Sequence, residues 1–128
     1  MIWKFCFDCG RKDPGILQQY EDLKRKGSTA LQIIPVLYRY FRMGMIITEN
    51  PGRSGDLWEK YGIHYKTADE IRGLMAGRSD IYPFFRYWMK ELQDLEIDGK
   101  TGIVDAEQGL KVLLIRILPM REDNHEKL

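Results

Sequence analysis

The apolar positions of the chain fall into two periodicities. Ile16, Leu17, Tyr20 and Leu23 recur at the spacing of one helix face, and so do Leu31, Ile34, Leu37, Tyr38 and Phe41. Phe84, Tyr87, Trp88, Leu92 and Leu95 repeat the pattern further on. Residues 1–8 instead alternate Trp3, Phe5 and Phe7 with Lys4, Cys6 and Asp8, the period of a half-buried strand. Residues 45–48 and the apolar run over 110–118 read as further strands, the last one following a glycine-bearing turn at 98–102. The punctuation agrees with this division. Asp13-Pro14 predicts a helix start and Gly27 its stop. Ser28 caps a second helix, in which Pro35 predicts a kink or a later start and Gly44 the end. Ser54 opens a brief helix closed by Gly62. Thr67 and Glu70 match the Thr-x-x-Glu capping box of a short helix that Gly77 stops. Ser79 or Asp80 starts the longest helix, with Pro83 in its first turn, running to about Leu95.

The fold class expected from this reading is α+β, mostly helical with a small antiparallel sheet. A single domain covers residues 1–120, with a strand–helix extension over 1–44, a core over 54–118 and a frayed tail at 121–128. Asn50-Pro51-Gly52 reads as a turn.

Composition narrows the function classes. Apolar residues make up 44% of the 128 and charged residues 30%, which is the balance of a chain that folds around a core. No stretch nears the roughly 20 apolar residues of a membrane span, so no membrane partner is expected. Two cysteines and no basic-then-apolar leader point to the cytoplasm. The formal net charge of +1 is no footprint of a polyanion binder. The charge is uneven, however: residues 1–92 carry 15 Lys or Arg against 11 acidic side chains, and residues 93–128 carry 5 against 8.

The order from Lys66 onward is short helix, tight turn, longer helix and then an expected β-ribbon. With Thr67-Ala68-Asp69-Glu70-Ile71, Lys90-Glu91-Leu92-Gln93-Asp94-Leu95-Glu96-Ile97 and the turn after them, residues 66–118 resemble the winged helix-turn-helix family of DNA-binding domains. That resemblance implies a core of Ile71, Leu74, Leu92 and Leu95. It places Arg78, Ser79, Tyr82, Arg86 and Lys90 along the groove-facing helix and Lys100 on the wing. An α-helix fits the major groove, and arginine suits both guanine edges and phosphates. Double-stranded DNA is then the expected partner, with residues 13–43 available to form a homodimer. Pro83 and the long interval between the two helices depart from the family pattern.

Other candidate chemistry is sparser. Cys6-x-x-Cys9 has the bite of half a zinc site, but the other two ligands are missing unless a second chain supplies them. No cofactor is expected. His64 has no nucleophile or carboxylate pair beside it in the sequence, and Asn50-Pro51-Gly52-Arg53-Ser54-Gly55 lacks the Gly-Lys-Ser/Thr of a phosphate loop. The clusters Tyr38-Arg39-Tyr40-Phe41-Arg42 and Phe85-Arg86-Tyr87-Trp88 suit stacking on bases or anchoring a protein, and equally suit amphipathic helix faces with arginine stems lying over the core. The sequence is thus read as a non-enzymatic DNA-binding regulator or accessory factor. The alternative is a protein-interaction module, of viral or mobile-element type, that binds a partner through aromatic-rich surface. A toxin-type ribonuclease is a third reading, supported only by exposed bases and tyrosines.

Overall fold

The computed structural model describes residues 2–50 and 54–118. The described residues form seven helices: α1 (Ile2–Gly10), α2 (Ile16–Arg25), α3 (Ala30–Glu49), α4 (Ser54–Tyr61), α5 (Tyr65–Met75), α6 (Ile81–Lys100) and α7 (Ala106–Ile117). No strand occurs among them, so the fold is all-α and the expected α+β class with an antiparallel sheet is corrected. The turn expected at 50–52 and the tail at 121–128 lie outside the described residues, apart from Asn50, which caps the end of α3.

Each of the three expected strands is a helix for an identifiable reason. In α1 the buried residues are Phe5, Cys6, Asp8, Cys9 and Gly10. With Cys6 and Asp8 counted as polar the segment alternates like a strand; with both inside, its helical period is plain. In α7 the buried set is Ala106, Leu110, Leu113, Leu114 and Ile117, at helical spacing. Two exposed aliphatics, Val112 and Ile115, fill the gaps and make the run look continuous. Residues 45–48 continue α3, because Gly44 does not end that helix.

Gly44 serves close packing instead. A Cβ on it would stand 2.4 Å from the Phe85 ring, so its absence lets α6 press onto α3. These two helices form the central pair. Glu49 meets Tyr82 and Leu31 approaches Gly99, so they run antiparallel. Between them Phe41 packs against Phe84 and Phe85 at 5.7 and 5.5 Å between ring centroids, while Tyr40 meets Trp3 edge-on at 4.8 Å. Aromatic pairs at such distances add to the free energy of area burial.

Two polar hubs fix the outer helices. Asp8, with its side chain 1% exposed, accepts from Lys4 Nζ at 2.8 Å, Arg11 Nε at 2.9 Å and Gln19 Nε2 at 2.7 Å, tying α1 to α2. Glu107 accepts from the Tyr20 hydroxyl at 2.8 Å and from the Ala30 N–H at 2.9 Å. Its charge therefore lies at the N-terminus of α3, where the helix dipole favours it. That N-terminus also carries a full capping box from Thr29 and Gln32, one residue beyond the expected Ser28.

Further boundaries shift for local reasons. The sequence places a capping box at Thr67 and Glu70, but α5 starts at Tyr65 with His64 as its N-cap, and Glu70 accepts from the buried Tyr40 hydroxyl at 3.2 Å. α2 begins at Ile16 rather than Pro14, with the Asp13 carboxylate accepting from Gly15 N. Pro35 sits inside α3, and α6 extends past Leu95 to Lys100. Gly77 (φ +75°) does follow the end of α5.

Candidate functional site

With α7 in place of a β-ribbon, there is no wing among the described residues, and Lys100 is the last residue of a helix. Nor do α5 and α6 form the mutually packed pair of a helix-turn-helix. α5 packs on α3 and α4, whereas α6 packs chiefly on α3 and next on α7. The winged-helix expectation is corrected accordingly.

The residues expected to face DNA meet different fates. Arg78 is only 22% exposed and is spent on the fold. It donates to the Gly10 carbonyl at 2.7 Å, closing the end of α1, and to both Asp80 oxygens at 3.2 and 3.3 Å. Its guanidinium also lies over the Phe84 ring at 5.0 Å. The hydrogen bond from Arg78 holds the Asp80 carboxyl below its ordinary range. Ser79 is exposed between α5 and α6. Tyr82 donates to Glu49 at 3.0 Å. Lys90 pairs with Asp94 at 3.6 Å and Lys100 with Glu96 at 3.1 Å. Arg86 is exposed, with no ion pair among the described residues.

Tyr82, Arg86, Lys90 and Lys100 do share the outward side of α6, as 100° per residue requires, but Tyr82 and Lys100 are separated by about 27 Å of helix rise. Along this helix Glu91, Asp94, Glu96 and Asp98 outnumber Arg86, Lys90 and Lys100. Its outer face is a mixed surface, with a shallow shelf of about 460 Å³ lined by Tyr82, Pro83, Arg86, Tyr87 and Lys90 at one end.

Cys6 and Cys9 are both fully buried on α1. Burial pushes the Cys6 thiol up to about 12 and Cys9 well above its usual value, so neither offers a thiolate to a second chain. Among the described residues no three His, Cys, Asp or Glu side chains stand together as a metal site. The His64 Nδ1 accepts from Lys66 N at 3.1 Å, and its ring stacks on Tyr65 at 4.6 Å, so it works as a helix cap.

The two aromatic–basic clusters resolve into amphipathic faces. Tyr40, Phe41, Phe85 and Trp88 are buried, while Arg39, Arg42, Arg86 and Tyr87 face outward. Besides Tyr87, which Trp88 and Arg116 contact, the exposed aromatics stand at the junction of α4 and α5. Trp58 is 60% exposed and Tyr65 54%, and Tyr61 lies one turn along from Trp58 on the same side of α4. Leu57 and Ile63 are buried behind them and anchor the junction to the rest of the fold. Glu59, Lys60 and Lys66, neighbours of these aromatics in sequence, are exposed too. The sequence held a signal for this site: a short helix whose aromatics have too few apolar neighbours to be covered. Its weight was lost beside the denser clusters on α3 and α6. No helix of the described residues is long and apolar enough to cross a membrane. No family model, curated protein or solved structure matches this chain.

Proposed function

We propose that this chain is a non-enzymatic protein-interaction module that docks on a partner protein through the aromatic patch of the α4–α5 junction. One observation carries the reading: Trp58, Tyr61 and Tyr65 are held out in solvent while Tyr20, Tyr40, Phe41, Phe85 and Trp88 are packed away. Uncovered aromatic surface forgoes about 25 cal/mol for every Å² left in water, so a patch of three such side chains gains by being covered. Trp and Tyr are also the side chains that most often dominate protein–protein binding energy, inside a polar rim that excludes water. The exposed charges of Glu59, Lys60 and Lys66 beside them in sequence would supply that rim.

DNA is disfavoured as the partner by charge as well as by the lack, among the described residues, of a wing and a helix-turn-helix pair. Phosphate binding needs an excess of free cations; Arg78 is spent on the Gly10 carbonyl and Asp80, and along α6 Glu91, Asp94, Glu96 and Asp98 stand among Arg86, Lys90 and Lys100.

The test is photo-crosslinking in the source cells, with benzoylphenylalanine in place of Tyr61 and, as a control, in place of the exposed Lys26. A discrete adduct from position 61 that position 26 does not give is the expected result. The same ladder of products from both positions would contradict the reading.

A further inference from the structure

The α6–α7 hairpin leaves a second surface open. One bank is formed by Glu91, Asp94 and Asp98 of α6, spaced so that all three lie on one stripe of the helix. The other bank is Gly109, Val112 and Arg116 of α7, at the same spacing, and the groove between them measures about 180 Å³. Gly109 brings the banks close, since a Cβ there would stand 2.5 Å from Leu95 Cδ1. Between the banks the groove is lined by Leu95 and Leu113; Val112 on the α7 bank is 53% exposed, and Ile103, in the turn that joins the two helices, 75%. The fold does not require this exposure, because the seam is already filled by Leu92, Leu95, Leu110 and Leu113.

Charge decides what fits. Arg116 is committed to Glu91 at 3.0 Å and to the Tyr87 hydroxyl at 2.5 Å. Asp94 meets Lys90 only at 3.6 Å, in an exposed pair of the kind that contributes little. Asp98 has no side-chain ion pair among the described residues. Aliphatic surface bordered by unspent carboxylates complements an amphipathic helix with apolar residues on one side and basic residues flanking them. Helix-in-groove docking is a recurrent way of covering such a surface.

We infer that the α6–α7 groove seats a basic amphipathic helix of a partner protein, its aliphatic side chains against Val112 and Ile103 and its lysines or arginines over Asp94 and Asp98. This surface lies on other elements than the α4–α5 patch, so either can fail without the other.

The full chain is titrated, by fluorescence anisotropy, with a labelled leucine–lysine helical peptide of about five turns, roughly 18 residues. A leucine–glutamate peptide of the same apolar pattern is the control. The leucine–lysine peptide is expected to bind and the control not. Binding is expected to weaken roughly tenfold in Asp94→Lys/Asp98→Lys, as a lost charge complement at an interface demands. Asp94→Asn/Asp98→Asn should weaken it less, and Ile103→Asp should also weaken it, with circular dichroism unchanged in each. Equal binding of both peptides, or binding indifferent to the aspartate variants, overturns the proposal. It is equally overturned if sedimentation shows the chain dimerising through this face and Ile103→Asp dissolving the dimer, since the occupant is then a second copy.

Discussion

At the scale of residues, two glycines separate packing from propensity. Gly44→Ala forces a methyl into the Phe85 ring, which Phe41 and Phe84 hold in place, and is expected to cost about 2 kcal/mol in denaturant unfolding. Gly73, inside α5 with nothing within 4 Å of an added Cβ, should respond oppositely: Gly73→Ala is expected to stabilise by about 0.5–1 kcal/mol. Asp8 sets a pH dependence. Burial opposes its ionisation, and the bonds from Lys4, Gln19 and Arg11 more than offset that, leaving the carboxyl below its ordinary value. A carboxyl depressed by folding contributes stability that is present above the unfolded value, about 3.9, and lost as pH falls through the folded one. Asp8→Asn should therefore cost about 2 kcal/mol at neutral pH and flatten the acid limb of the stability curve. An unchanged acid limb would show that Asp8 does not hold α1 to α2. Asp8 also marks what the sequence hid, for a buried carboxylate with three donors reads as a polar, outward residue until Gln19 and Arg11 are placed beside it.

At the scale of elements, the helices with a clean apolar stripe were legible: α2, the start of α3 and the body of α6 all follow the spacing of their leucines and aromatics. The ends of α4 and α5 were legible too, from Gly62 and Gly77, whose positive φ lets the chain turn away. α1 and α7 were not, because cysteines and an aspartate inside α1, and exposed Val112 and Ile115 on α7, obscure their period. The candidate site was legible only as residue types. Arg78 reads as a DNA contact, yet it is the clasp between the end of α1 and the start of α6. Arg78→Met is accordingly expected to lower stability by about 1–2 kcal/mol, the cost of hydrogen bonds from a charged donor. A second element-level test lies at Glu107, which joins α2, α3 and α7. Glu107→Ala and Tyr20→Phe should each destabilise, and the double variant should fall short of the sum, since both remove the same bond. Additive losses in that cycle would mean the bond is not formed.

At the scale of the whole molecule, the near-neutral balance of the chain is repeated on α6, where Glu91, Asp94, Glu96 and Asp98 stand among Arg86, Lys90 and Lys100. Duplex DNA at low salt is expected to show no more affinity for this chain than a neutral protein does; tight binding that weakens steeply with added salt would restore the nucleic-acid reading. The interior is carried by the aromatic seam of α3 and α6, and Trp58, Tyr61 and Tyr65 of the α4–α5 junction are exposed. The most direct measurement places benzoylphenylalanine at Glu59 and compares the native chain with Trp58→Ala/Tyr61→Ala/Tyr65→Ala, following the cross-linked adduct and the thermal midpoint together. The account predicts that the adduct disappears while the midpoint stays within the range of surface substitutions, about 0.5 kcal/mol per site. An adduct that survives the triple substitution, or a chain that no longer folds, contradicts it.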